Sequence, residues 1–150
     1  MSVENSSWAI ERDYPHPPER VFNAWADPSI KVRWFDLSGN NNPDYHGDFR
    51  VGGTESFRTP AGASPRFTYD AQYRDIIQDE RIITTYEMSV DGQRTSVSVA
   101  AIELKATPAG TRLVYTEQGA YLDGLDNPDS RRTGTNSQLD NLATLLKEQA

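Results

Sequence analysis

Hydrophobic and polar residues alternate with a period of two through the middle of the chain, from Asp48 to about Gly119. This period is typical of half-buried β-strands, because successive side chains of a strand point to opposite faces of the sheet. The clearest example is residues 67–74. Its apolar members are Phe67, Tyr69, Ala71 and Tyr73. The pattern predicts a run of about six antiparallel strands with one dry face and one wet face.

The dipeptide Asp91-Gly92 divides two of these strands, residues 82–90 and 95–104. Both central positions of a type I′ turn need positive φ, which Asp and Gly tolerate, so a tight hairpin is expected here. In the second strand the apolar side chains stand at odd positions up to Val99 and at even positions from Ile102 onward. This change predicts a β-bulge near residues 100–101 or burial on both faces.

The chain before the strand run predicts one strand and two short helices. Residues 7–14 alternate as a strand does, and Pro17 or Pro18 can then open a helix through Asp27. Asp27 can accept backbone N–H bonds as a cap while Pro28 starts the second helix. The expected apolar stripes of the two helices contain Val21, Phe22, Trp25, Ile30 and Trp34.

After Asn127-Pro128 the hydrophobic period changes to that of a helix. The residues of its apolar stripe are Leu139, Leu142, Leu145 and Leu146. This should be the longest helix, capped by Asn127, and it is the element available to cover the dry face of the sheet. The predicted fold class is therefore α+β, with residues 1–150 forming a single domain.

Composition narrows the function classes without naming one. The 150 residues include no Cys and two His, so we expect neither a disulfide framework nor a Cys- or His-based metal site, and no cofactor. A net charge of −7 without clusters of Lys or Arg disfavours nucleic acid and anionic membranes as partners. The start of the chain lacks the basic and apolar parts of a secretory signal, and no run of 18 apolar residues occurs. A cytoplasmic protein without membrane insertion is expected.

Five segments, in the same order, resemble motifs of a known family. The first segment runs from Pro18 to Pro28 and is followed by Arg33-Trp34-Phe35. The other four are residues 48–53 (DFRVGG), 79–86 (DERIITTY), 110–113 (GTRL) and 138–142 (QLDNL). Together they resemble the activator-of-Hsp90-ATPase-like branch of the START/Bet v 1-like superfamily, over roughly Trp8 to Lys147.

The resemblance implies a helix-grip, Bet v 1-like fold. In that fold an antiparallel curved sheet of about six to seven strands wraps around a long C-terminal helix, with two short helices after strand 1 and a cavity between sheet and helix. Two departures bear on the cavity. The family usually has a Gly-Trp pair where this chain has Gly134-Thr135, which predicts a larger or more polar cavity. The strand after the double glycine usually starts with an aromatic residue, whereas here residues 54–56 (TES) precede Phe57.

Eight residues are the candidates for ligand contact: Trp34, Phe35, Phe57, Tyr69, Tyr86, Tyr115, Glu117 and Thr135. Aromatic rings suit concave apolar sites, although Trp34 and Phe35 would serve equally as core residues. The tyrosines share the parity assigned to the inner face, where internal hydrogen bonds are the alternative to ligand contact. Glu117 has the same parity, and burial would raise its pKa as in general acids, but solvation at the rim is the expectation.

The resemblance, taken together with these residues, implies three functions as expectations. The first is binding of a small hydrophobic or aromatic molecule in the cavity between the sheet and the C-terminal helix. The second is a cyclase or hydrolase acting on a polyketide-like or aromatic substrate, with Tyr86 and Glu117 orienting or protonating it. The third is a chaperone-interacting module, which the short chain disfavours. Exposed edge strands would also permit a homodimer.

Overall fold

The computed structural model describes residues 1–37, 44–60 and 62–148. Its elements in chain order are β1 (Val3–Tyr14), α1 (Pro18–Ala26), α2 (Pro28–Phe35), β2 (Tyr45–Gly47), β3 (Thr54–Arg58), β4 (Phe67–Ile77), β5 (Arg81–Val90), β6 (Gln93–Thr107), β7 (Gly110–Leu122) and α3 (Pro128–Glu148). The seven strands form one antiparallel sheet in the order β1-β7-β6-β5-β4-β3-β2. The α+β helix-grip fold expected from the sequence is confirmed, with a curved sheet and a long C-terminal helix.

Strand β1 begins four residues before the start that the alternation predicts. Its pairing with β7 runs from Val3 opposite Leu122 to Tyr14 opposite Thr111. The first residues of β1 are mostly polar and exposed, so they carry no apolar alternation. They join the sheet because the long strand β7 offers backbone partners along their whole length.

The hairpin between β5 and β6 has the predicted turn. Asp91 and Gly92 have φ values of 51° and 80°, and Val90 pairs with Gln93 on either side of them. The predicted bulge is in the right strand but at another residue. Ser89 pairs with Arg94 and Met88 with Ser96, so Thr95 is the extra residue, and the pairing through residues 100–101 is regular.

The inner face of β6 after this bulge is built from even positions throughout. Ser96 and Ser98 are buried there, although their polarity suggested the outer face, while Val97 and Val99 are 45% and 41% exposed on the face that points away from α3. Burial on both faces, the alternative to a bulge at residues 100–101, is therefore also wrong. The prediction was wrong because the buried positions of this part of β6 carry serine and the exposed positions carry valine.

The helix boundaries follow the predicted caps. The Asp27 carboxylate accepts the backbone N–H of Ser29 at 2.9 Å, and Pro28 is the first residue of α2. The Asn127 side-chain oxygen likewise accepts the N–H of Ser130 at 2.9 Å, at the start of α3. Both caps satisfy N–H groups that have no partner within the helix.

The second half of α3 packs tightly into the core. Its four stripe leucines are at most 4% exposed. Tyr14 donates its hydroxyl hydrogen to the Leu139 carbonyl oxygen at 3.0 Å, and the Arg20 guanidinium donates to the Leu146 carbonyl at 2.7 Å. These bonds fix the second half of α3 against β1 and α1.

Candidate functional site

A cavity of about 520 Å³ lies between the sheet and the first half of α3. Six of the fifteen residues that line it are aromatic, and they come from β3, β4, β5, β7 and the end of α2: Phe35, Phe57, Phe67, Tyr69, Tyr86 and Tyr115. The helix contributes Ser130, Arg131, Gly134, Thr135 and Gln138. Leu37, Thr59, Met88 and Asp126 complete the lining.

The helix sequence explains why the space is left open at this end. Arg131, Gly134, Thr135 and Gln138 recur at three- and four-residue intervals, so they share one face of α3. Two of these residues are small, whereas the same face further along the helix carries leucine. The leucines fill the space above the sheet, and Gly134 and Thr135 do not.

Six of the eight candidate residues line this cavity: Phe35, Phe57, Tyr69, Tyr86, Tyr115 and Thr135. They come from six separate elements, and the curvature of the sheet brings them together. The remaining two, Trp34 and Glu117, do not line it. Both are buried behind the cavity wall.

Trp34 is a core residue. Its side chain is 1% exposed, and its indole N–H donates to the Ala24 carbonyl oxygen at 2.9 Å. Its ring meets Trp25 edge-on with 4.7 Å between centroids. These contacts join α1 to α2, so Trp34 supports Phe35, the neighbouring residue that does reach the cavity.

Glu117 is fully buried, which corrects the expectation of a solvated carboxylate at the rim. Its Oε1 accepts hydrogen bonds from Tyr86 at 2.6 Å and Tyr115 at 2.8 Å, and its Oε2 accepts one from Tyr121 at 3.3 Å. The reason is the length of β7, which continues five residues beyond Glu117 to Leu122. The side chain therefore points inward from the body of the strand.

Burial raises the pKa of Glu117 above its ordinary value, and the hydrogen bonds from Tyr86 and Tyr115 and the charge of Arg131 oppose part of this rise. Burial, followed by the neighbouring Glu117 charge, also raises the pKa of Tyr86. The pKa of Tyr115 is raised by burial and by the adjoining Tyr86 and Glu117. Both phenols thus stay protonated at neutral pH and donate hydrogen bonds to Glu117 Oε1.

Arg131 completes this polar end of the cavity, and the sequence analysis missed it. Its guanidinium donates to the Tyr86 hydroxyl oxygen at 2.9 Å, to Ser96 Oγ at 2.7 Å and to Asp126 Oδ2 at 2.6 Å. Its Nη1 lies 3.8 Å from Glu117 Oε2. A usable signal was present, because Arg131 stands one helical turn before Thr135 on the same face.

A second buried ion pair lies behind the opposite wall. The Lys31 ammonium on α2 contacts both oxygens of Glu55 on β3, at 2.9 Å and 2.6 Å, and the two residues are 3% and 1% exposed. Tyr45 and Tyr69 donate hydrogen bonds to the same carboxylate. Lys31 lies on the same face of α2 as Trp34, which was the available signal in the sequence. From sequence alone, however, a lysine at the edge of an apolar face is expected to be solvated.

Aromatic rings enclose the Lys31 ammonium. Its Nζ lies 4.7 Å from the centroid of Phe35 and 5.3 Å from that of Trp25, distances at which a cation is attracted to a ring face. Phe35 and Tyr69 thus contact the ion pair and also line the cavity. The pair holds the positions of two wall residues.

The described residues contain no group of three or more His, Cys, Asp or Glu side chains placed to hold a metal ion. No helix in the described part of the chain combines the length and the apolar character needed to cross a membrane. The polar groups that line the cavity are hydroxyls, the Gln138 amide and the Arg131–Asp126 pair.

The family model for the activator of Hsp90 ATPase homolog 1-like protein matches residues 15–147. The chain belongs to this family. Several solved structures are similar to this chain over nearly its full length. An uncharacterized protein from Rhizobium leguminosarum is 40% identical, with a TM-score of 0.93 and coverage of 98% of this chain and 97% of that one.

The Mll3558 protein from Rhizobium loti is 42% identical, with a TM-score of 0.89 and coverage of 97% and 99% of the two chains. SA2116 from Staphylococcus aureus, a protein of unknown function, shares the fold at 16% identity with a TM-score of 0.79, covering 98% of this chain and 96% of its own. No curated protein matches the chain. The comparisons therefore establish family and fold, and the function is argued from the cavity.

Proposed function

We propose that the protein binds a small hydrophobic or aromatic molecule in the cavity between the sheet and α3. The observation that carries the proposal is the cavity itself, about 520 Å³ in volume with a mainly apolar wall that includes six aromatic side chains. This volume lies within the range of roughly 300–1,000 Å³ that is usual for small-molecule sites. Concave sites with a mainly apolar lining and a few polar groups are the usual form of small-molecule sites.

The six wall residues Phe35, Phe57, Tyr69, Tyr86, Tyr115 and Thr135 are the proposed ligand contacts. Aromatic rings supply large contact areas and lose little conformational freedom when a ligand binds. Neighbouring rings already hold several of them, with centroid distances of 5.2 Å between Phe35 and Tyr69 and 4.9 Å between Tyr69 and Tyr86. Trp34 and Glu117 do not contact the ligand in this proposal. Trp34 packs against Phe35, and Glu117 accepts hydrogen bonds from Tyr86 and Tyr115.

Titration with the uncharged dye Nile red tests the proposal. We expect saturable fluorescence enhancement with the wild-type protein. Thr135 is 6% exposed and lines the cavity, so Thr135→Trp would place an indole in the ligand space. That variant should bind the dye at least about tenfold more weakly, a loss of about 1.4 kcal/mol.

The matched control is Thr133→Trp, which adds the same indole to an exposed position on α3. It should bind Nile red as the wild type does. Circular dichroism and thermal unfolding establish that each variant is folded. Unsaturable binding by the wild type, or equal binding by the two tryptophan variants, would contradict the proposal. A thermal-shift screen of lipids, aromatic compounds and polyketide-like molecules then narrows the ligand class.

A second candidate, an enzyme of the cyclase or hydrolase type, is favoured by one observation. Glu117 is buried with a raised pKa and is bonded to Tyr86, whose side chain lines the cavity. Buried acids with raised pKa values are typical of general acid chemistry. Hydrolysis of 1-naphthyl acetate tests this role, with turnover expected in the wild type and lost in both Glu117→Gln and Tyr86→Phe. Equal rates in all three proteins would reject it for esters.

A further inference from the structure

The polar end of the cavity determines which ligands it accepts. Of the described residues that line the cavity, Arg131 is the only one with a cationic side chain and Asp126 the only one with a carboxylate. An arginine in an apolar pocket would ordinarily suggest a carboxylate or phosphate ligand, because the guanidinium group fits such anions with two parallel hydrogen bonds. The partners of Arg131 argue against that assignment.

Arg131 already has its anionic partners within the protein. Two carboxylates face its single positive charge, with Asp126 Oδ2 at 2.6 Å and Glu117 Oε2 at 3.8 Å. The formal charge of the three groups is −1 when Glu117 is ionised and zero when it is protonated. In neither state is there a surplus positive charge for an incoming anion, which would also lose its hydration on entering the apolar cavity.

The Tyr86 hydroxyl is also committed to the protein. It donates to Glu117 Oε1 at 2.6 Å and accepts a hydrogen bond from Arg131 at 2.9 Å. A phenol has one hydrogen to donate. While Glu117 is ionised, that hydrogen points away from the cavity and does not serve an acceptor on the ligand.

Asp126 is the carboxylate at this end that a ligand can reach. Its side chain is 23% exposed, whereas that of Glu117 is 0% exposed. Its two oxygens each accept one hydrogen bond, from Arg131 and from the backbone N–H of Asn127. A carboxylate offers about four acceptor positions, so Asp126 retains capacity for a further donor.

We propose that the ligand is an apolar or aromatic molecule with a hydroxyl or amino group, which donates a hydrogen bond to Asp126, and that the cavity discriminates against carboxylic acids. This inference rests on the proposed binding function. The apolar part lies against the aromatic wall, and the donor group lies at the Asp126 end. Selectivity arises because the cavity presents a free acceptor and no free cation.

Four probes with one ring system test the inference: 2-naphthylmethanol, 2-naphthylmethylamine, 2-naphthoic acid and 2-methylnaphthalene. Their affinities for the wild-type protein are measured by calorimetry at pH 7. We expect the alcohol and the amine to bind at least about tenfold more tightly than the acid, and more tightly than the methyl compound. This comparison needs no variant, so it does not depend on the folding of a mutant.

Asp126→Asn then locates the effect. Loss of the carboxylate leaves the Arg131 charge less compensated, so the amine should bind more weakly and the acid more tightly than to the wild type. The matched control is Asp129→Asn, which removes the same charge from an exposed position in the first turn of α3. Its order of affinities should equal that of the wild type.

The outcomes separate the two proposals. Tighter binding of the acid than of the alcohol and amine would overturn this inference while supporting a binding cavity. Equal binding of the methyl compound and the alcohol would overturn it as well, because the polar end would then contribute nothing. Failure of all four probes to bind would count against the binding function itself, and the inference would fall with it.

Discussion

At the scale of single residues, Glu117 shows how a carboxylate can be buried completely. Hydroxyl groups of three tyrosines and one guanidinium surround it. Glu55 has the same kind of environment, with Lys31 and tyrosine hydroxyls as partners. A buried charge is costly unless hydrogen bonds and an opposite charge replace its hydration. Each carboxylate thus holds several wall side chains in position.

The first prediction concerns the pH dependence of stability. The folded protein binds the Glu117 proton more tightly than the unfolded chain does, because the folded-state pKa is raised. The contribution of this group to the free energy of unfolding is therefore complete at low pH and decreases as pH rises through the folded-state pKa. The decrease amounts to about 1.4 kcal/mol for each pH unit between the two pKa values.

Urea unfolding of the wild type and of Glu117→Gln between pH 4 and pH 8 measures this effect. We expect the wild type to lose stability relative to the variant as pH increases, because glutamine does not ionise. Glu103→Gln, at an exposed position on β6, serves as the control and should show no such trend. A difference that is constant with pH, or that grows in favour of the wild type, would contradict the burial argument.

The second prediction concerns the ion pair of Lys31 and Glu55. Lys31→Met leaves the carboxylate buried without its cation, and we expect a loss of about 3–5 kcal/mol in the free energy of unfolding. In the double variant Lys31→Met, Glu55→Gln, the remaining group is neutral and still accepts hydroxyl hydrogens. That variant should be more stable than Lys31→Met alone. Urea unfolding checks both, and a double variant no more stable than Lys31→Met would show that the Glu55 charge does not depend on Lys31.

At the scale of elements, α3 combines two functions along its length. Its second half carries the leucine stripe and packs into the core. Its first half carries Arg131, Gly134 and Thr135 and borders the cavity. A single helix is long enough for both because 21 residues span about 30 Å. The cavity wall and the packed core are thereby formed by different turns of the helix.

The third prediction uses the glycine in the first half of α3. A Cβ at Gly134 would meet only Leu37 Cδ1, at 3.9 Å, which is ordinary contact. Gly134→Ala should therefore stabilise the protein by about 0.5–1 kcal/mol, the difference in helix propensity between the two residues. Thermal and urea unfolding measure the gain.

The contrasting variant is Gly53→Ala in the loop before β3. A Cβ there would lie 2.1 Å from the Asp48 carbonyl oxygen, closer than two such atoms approach without backbone movement. That substitution should destabilise the protein. If Gly134→Ala also destabilised it, the first half of α3 would be more tightly packed than the structure indicates.

At the scale of the whole molecule, tight packing and open space occupy opposite ends of the same interior. Leu142 is fully buried at the packed end, whereas Met88 is only partly buried and borders the cavity. The cost of truncating a side chain depends on whether a new void is created. Equal changes in composition should therefore have unequal effects at the two ends.

The fourth prediction follows from this division. Leu142→Ala should lower the free energy of unfolding by about 2–5 kcal/mol, because it opens a void in packed surroundings. Met88→Ala should cost about 1 kcal/mol or less, because its side chain already borders open space. Equilibrium urea unfolding of both variants provides the comparison. Equal losses would mean that the cavity closes around Met88 in solution.

The sequence by itself determined the features that depend on neighbouring residues. Period-two and helical patterns predicted the order of the elements, and Asp91-Gly92 predicted the hairpin turn. Asp27 and Asn127 predicted the helix starts. Six of the eight candidate residues also line the cavity. Four of the six lie on strands, where alternation assigns side chains to one face. These rules operate within a few residues of the chain.

Only the tertiary structure decided the partners of the charged residues. Arg131 meets Glu117, and Lys31 meets Glu55, through contacts between different elements of the fold. The bulge at Thr95 and the burial of Ser96 likewise depend on how β6 pairs with β5. A local pattern identifies a charged side chain but not the group that will compensate it. Compensation across the fold determines whether that charge is solvated or buried, and so determines the polarity of the cavity.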